Sequence, residues 1–169
     1  MGKQGSGAEG SGTADAAVEE VIAAPPQVLY DLVSDVTRMG DWSPETTSCR
    51  WVGGAAGARV GARFRGSNRL GWRRWSTRCT VVEAEPGARF SFDVDLPGLP
   101  ISRWTYEFLA QGRGTRVRES WTDRRPAWMD RLSNPVMGIT DRNAHNRAGM
   151  EATLATLRRH AEATNDRQA

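Results

Sequence analysis

The chain has 169 residues, 38% of them hydrophobic and 25% charged, with a formal net charge of +3 and a pI near 9.4. Those values describe one globular domain, long enough to bury a real core, and the charge is too mild to single out a polyanionic partner. Nearly all of the positive charge is arginine, since Lys3 is the only lysine. High Arg and Ala usage points to a GC-rich genome rather than to a special partner.

Residues 1–14 are Gly, Ser and Ala with scattered charge, and such a segment cannot repay the entropy of ordering. They read as a flexible tail, with a single domain over 15–163 and a disordered end over 164–169. Val18 and Ile22 share one face of a first strand between Asp15 and Ala24. Pro25-Pro26 stops it and suits the first turn of a helix, where a missing N–H costs nothing. Val28, Leu29, Leu32, Val33 and Val36 then follow at helical spacing. A second short helix is expected from Asp35 to Trp42, ended by Ser43-Pro44.

Period-two patterning takes over after that. Strands are expected near 46–52, 62–68, 72–85, 88–95, 102–110 and 115–123. The breaks fall at Gly53-Gly54, Leu70-Gly71, Pro86-Gly87, Pro97-Gly98 and from Gly112 to Gly114. Alternation puts Trp75, Thr77, Cys79 and Val81 on one face, with Phe90, Phe92 and Val94, then Trp104, Tyr106 and Phe108, then Val117, Glu119 and Trp121. The opposite positions hold Arg78, Thr80, Asp93, Arg103, Thr105, Glu107, Arg116 and Arg118. An antiparallel sheet with one aromatic and one polar face is covered on one side only. Asn134-Pro135 resembles a helix start. A long helix is expected from there to about Ala163, with Met150, Leu154, Leu157 and Ala161 as its apolar stripe. The class is therefore α+β, in the order β-αα-ββββββ-α.

The residues carry a family likeness as well. The segment from Pro25 to Asp35, followed by Trp42-Ser43-Pro44-Glu45, resembles the opening of the START-like polyketide cyclase/dehydrase (SRPBCC) superfamily. Gly61 to Gly66 and Val82 to Phe92 look like its middle strands, and Trp104 to Phe108 and Gly114 to Val117 like its late ones. The resemblance implies a helix-grip fold, in which a seven-stranded curved sheet wraps a long C-terminal helix around an apolar cavity. It implies no catalytic residue, because members include cyclases, lipid carriers and hormone receptors, and fold does not fix function.

Other chemistry finds little support in the residues. His145 and His160 lie 15 positions apart on one helix, no cluster has metal-ligand spacing, and no Gly-rich phosphate loop of the required form occurs, so neither metal nor cofactor is expected. Cys49 and Cys79 give no disulfide framework and read as reduced, buried thiols. Arg63, Arg65, Arg69, Arg73, Arg74 and Arg78 are read as a solvated sheet face; no RNA-binding strand motif accompanies them, so no nucleic-acid partner is expected. No run reaches the ~20 apolar residues of a membrane span, nor does the N-terminus carry a signal-like apolar stretch, which gives a cytoplasmic expectation. Trp42 to Glu45 are read as closing one end of the grip, with Tyr30 and Asp35 nearby.

The expected partner is a small hydrophobic molecule, polycyclic, polyketide-like or lipid-like, held by Trp75, Thr77, Phe90, Phe92, Trp104, Tyr106, Phe108, Glu119, Trp121, Asn143, Arg147 and Met150. An aromatase/cyclase with Glu119 as its acid or base is the alternative, and an interaction protein with a vestigial cavity is the third reading. Continuing the helical stripe back from Leu154 and Met150 reaches Arg147 and Asn143. Arg147 is thus expected to pair with Glu119 inside the cavity, unless a β-bulge turns Glu119 out to solvent. Deleting residues 1–12 should leave the thermal melting temperature unchanged within error; a drop of several degrees would show that the tail docks on the domain.

Overall fold

The computed structural model describes residues 14–96, 99–126, 129 and 141–165. The seven strands are β1 (Ala16–Ile22), β2 (Thr46–Val52), β3 (Arg63–Leu70), β4 (Arg73–Glu85), β5 (Arg89–Leu96), β6 (Leu99–Gln111) and β7 (Gly114–Asp123). Helix α1 spans Pro26–Ser34, a short 3-10 helix follows over Val36–Asp41, and α2 spans Arg142–Asn165. The strands form one antiparallel sheet in the order β1-β7-β6-β5-β4-β3-β2. This is the expected helix-grip order, with every expected strand present. Pro97-Gly98, Asn134-Pro135, residues 1–13 and residues 166–169 lie outside the described residues. Within them, α2 starts at Arg142, where the Asp141 carboxylate accepts from the N–H of Ala144 at 2.9 Å.

Turn chemistry sets the register. Leu70 pairs with Arg73 across a two-residue turn whose first residue, Gly71, has φ +59°, a conformation that favours glycine. Another two-residue turn at Gly112-Arg113 pairs Gln111 with Gly114. From there the ladder places Phe108 opposite Val117, Tyr106 opposite Glu119 and Trp104 opposite Trp121.

The concave face divides into a filled end and a hollow end. At the filled end α1 buries Leu29, Tyr30 and Val33. The Tyr30 ring meets Phe90 and Phe108 edge-on, with centroids 6.5 and 6.1 Å apart. Val81 and Val117 come from the sheet, and Leu154, Leu157 and Ala161 from α2. Phe90 and Phe108 therefore belong to the solid core, and the expectation that they line the cavity is corrected. They lie on the concave face, but α1 sits directly on them.

The convex face is mostly polar, with Val21 and Leu109 as exposed exceptions, and its two halves differ. Across β5, β6, β7 and β1 the charges are neutralised side to side. Arg103 bonds Asp93 at 2.7 and 3.0 Å, Arg124 also reaches Asp93, and Arg118 reaches Glu107 at 2.8 Å and Glu19 at 3.6 Å. Arg89 pairs with Glu83 and Glu107, and Arg116 with Glu19. Such exposed pairs each contribute little, ~0–1 kcal/mol, but they set five arginines against four carboxylates and leave that half close to balanced.

Candidate functional site

At the hollow end the sheet and the first half of α2 enclose a cavity of about 210 Å³. Its floor is buried and comprises Phe64, Cys79, Phe92, Tyr106, Glu119, Trp121 and Met150. Partly exposed side chains form the rim, among them Glu45, Asn68, Trp75, Ile101, His145 and Asn146. Gly66 keeps one wall thin: a Cβ there would stand 2.8 Å from the Thr77 hydroxyl oxygen and 3.5 Å from the Cys49 sulfur. The volume matches roughly seven molecules of liquid water and falls below the ~300–1,000 Å³ of drug-sized sites. A ligand is therefore small, or projects through the rim.

Of the twelve residues expected to touch a ligand, eight line this cavity: Trp75, Thr77, Phe92, Trp104, Tyr106, Glu119, Trp121 and Met150. Phe90 and Phe108 lie in the core described above. Asn143 and Arg147 are exposed on the other side of α2, where the Arg147 guanidinium donates to the Ala17 carbonyl of β1 at 3.1 Å. The expected Glu119–Arg147 pair does not form. Four-residue steps back from Met150 lead to Asn146 and Arg142, and these line the cavity together with His145, Gly149 and Thr153. An α-helix turns once per 3.6 residues, so steps of three and of four diverge quickly, and the polar first half of α2 offers no apolar stripe to choose between them.

Glu119 is 2% exposed and does face inward, as alternation requires. Its Oε1 accepts a hydrogen bond from the Tyr106 hydroxyl at 2.7 Å. Its Oε2 is buried and has no hydrogen-bond partner among the described residues. Burial among rings pushes the carboxyl up to about 8, partly offset by the Tyr106 bond. The same burial, with the Glu119 carboxyl beside it, holds the Tyr106 hydroxyl well above its ordinary value. At neutral pH this pair is a neutral carboxylic acid and a neutral phenol. Tyr106 donates to one carboxyl oxygen, so the acid proton on the other is available to an acceptor.

The rim is more polar than the strand pattern alone implies. Glu45, from the segment after the 3-10 helix, pairs with His145 in the first turns of α2 and bridges the cavity from β2 to the helix. Trp42 is buried and stacks edge-on with His160, closing the grip as expected, whereas Ser43, Pro44 and Glu45 reach the cavity itself. Arg125 and Arg142 also face it. Cys49 and Cys79 are free and buried, and burial pushes their thiols up to about 11 and about 12, far from a reactive thiolate.

Glu119 also makes stability depend on pH. Its pKa in the folded chain, about 8, is raised from an unfolded value near 4.5. The folded state therefore holds the proton more tightly, and the associated stability is complete below about pH 4.5 and lost as pH rises through about 8. Chemical denaturation should show wild type losing on the order of a few kcal/mol between pH 5 and 9 relative to Glu119→Gln. Parallel pH profiles for the two proteins would show that the carboxyl is not held neutral.

Comparison with known proteins places this geometry in a family. A model of the family described as "Polyketide cyclase / dehydrase and lipid transport" matches residues 13–162. Among curated proteins none matches the chain. Among solved structures, the polyketide-cyclase-like protein Cgl2372 from Corynebacterium glutamicum is 31% identical, with a TM-score of 0.59 over 92% of this chain and 96% of that one. TTHA0849 from Thermus thermophilus is 23% identical, with a TM-score of 0.60 over 88% and 97%. The di-domain ARO/CYC StfQ of the steffimycin biosynthetic pathway is 15% identical with a TM-score of 0.63, and the match covers 90% of this chain and 46% of StfQ. The last two likenesses concern the fold alone. Matched along nearly the whole described domain, and sharing its sheet and helix arrangement, the chain belongs to the polyketide cyclase/dehydrase and lipid transport family.

Proposed function

We propose that the protein binds a small, mostly apolar, uncharged molecule that offers an acceptor oxygen to Glu119. One observation carries this reading: a buried carboxyl with one oxygen held by Tyr106 and the other, Oε2, without a partner among the described residues, on the aromatic floor of the cavity. An unsatisfied buried polar group is costly, and a ligand carbonyl or ether oxygen would remove that cost. A ligand charge would instead have to shed its water against Phe92, Trp104 and Trp121, which is far less favourable. An aromatic floor under a polar rim suits polycyclic or polyketide-like frames that carry oxygens. An open cavity also speaks against the vestigial reading.

A second reading keeps the same site and adds a reaction. A carboxyl titrating at about 8 is suited to proton transfer near neutral pH, as a cyclase acting on a bound polyketide chain requires. Incubation with a poly-β-ketone separates the two readings: recovery of the unchanged compound supports binding alone, and loss of water from it supports the cyclase.

The binding reading is tested with 9-fluorenone and fluorene, which share a frame and differ by one carbonyl oxygen. Titration calorimetry should show fluorenone binding about 3–10-fold tighter at pH 7, the range of one net neutral hydrogen bond. Glu119→Leu should remove that preference, and Asn146→Trp should weaken both ligands by filling the rim. Equal affinities in the wild type, or a preference that survives Glu119→Leu, would contradict the assignment.

A further inference from the structure

The half of the convex face formed by β2, β3 and β4 carries an excess of positive charge, with Asp95 of β5, opposite Arg78, as the acidic residue in register with the row. Arg50 lies opposite Arg65, and Arg65 opposite Arg78, so three arginines stand side by side across neighbouring strands. Nearer the β3–β4 turn, Arg69 lies opposite Arg74. All five are exposed, and none makes an ion pair among the described residues. Like charges directly opposite one another destabilise a sheet. On the other half of the same face the arginines are matched to Asp93, Glu107 and Glu19, so the contrast is local. An edge strand gains from a charge that blocks pairing with other chains. That accounts for Arg50 on edge strand β2, and Asp95 of β5 lies opposite Arg78, but Arg65 stands on an interior strand between two arginines.

The turn beside this row adds a second observation. Trp72 is 83% exposed at its tip, with the Arg73 guanidinium carbon 4.9 Å from the ring centroid. An exposed indole flanked by guanidinium groups matches what resides at a lipid headgroup boundary, where the ring is half-buried and the cations meet phosphates. Single-stranded nucleic acid is a poorer fit. It needs rings spread along the binding face, and the outward positions here are Arg, Ser and Thr. The hairpin tip also adjoins the cavity rim, because the Arg69 N–H donates to the Glu45 carbonyl at 2.8 Å.

We propose that the convex face of β2–β4 and the β3–β4 turn dock on an anionic lipid surface, with Arg65 and Arg78 at the centre of the contact and Trp72 set at headgroup level. Docking is peripheral: among the described residues no helix is long and apolar enough to cross a membrane. It is also independent of what the cavity holds.

Sedimentation of the full chain with vesicles tests this, using phosphatidylcholine containing 30% phosphatidylglycerol, then phosphatidylcholine alone, in about 0.1 M salt. Partition into the anionic vesicles should be at least tenfold stronger and should fall as salt is raised. The double variant Arg65→Ser/Arg78→Ser should lower it by about tenfold or more, and Trp72→Ser by several-fold. Arg116→Ser, on the neutralised half, should change it less than twofold. Equal partition into the two vesicle types would overturn the proposal, as would a double variant no weaker than Arg116→Ser. Tighter binding to a 20-base-pair DNA duplex than to the anionic vesicles would overturn it too, and would reassign the face to nucleic acid.

Discussion

One face of a seven-stranded sheet must leave water, and among the described residues a single long helix is the main element that covers it. Helix α2 runs along β1 and β7, and α1 plugs the end where Phe90 and Phe108 meet Tyr30. Between them they fill only part of the concavity. What remains is bounded by small or polar groups as well as rings, Gly66, Thr77 and Asn68 among them. The cavity is thus the space that the covering elements do not reach, and its position follows from where α1 sits.

That geometry decides the chemistry of Glu119. The strand alternation that sends Val117 into the core and Trp121 into the cavity wall also sends a carboxyl inward between them. Burial dominates its surroundings, so the neutral form prevails, and among the described residues Tyr106 supplies the bond that holds the group in place. A permanently paired carboxylate would have been satisfied and inert. A neutral acid with one oxygen unpartnered retains the capacity to recognise an acceptor.

Much of this was legible in the sequence. Period-two patterning gave the strands and their inward faces, and the glycines at the turns gave the breaks. The Tyr106–Glu119 contact follows from the two-residue turn at Gly112-Arg113, where the sequence suggests a longer break from Gly112 to Gly114 and so leaves the register open. Depth along a strand was not legible: Phe90 and Phe92 share a face, yet α1 places one in the core while the other reaches the cavity. The phase of α2 was not legible either. Its first half is too polar to show a stripe, and a three-residue step led to Arg147 where the helix presents Asn146 and Arg142. The Glu45–His145 bridge joins residues 100 positions apart. Neither local pattern nor turn chemistry reaches that far.

The central claim is that Glu119 sits in the cavity as a neutral acid. Carbon-13 NMR of the side-chain carboxyl, assigned by its absence in Glu119→Gln, follows that proton directly. The account predicts a titration midpoint of about 8 in the free protein. A midpoint in the ordinary glutamate range, near 4.3, would mean that the carboxyl is ionised at neutral pH, and would contradict it.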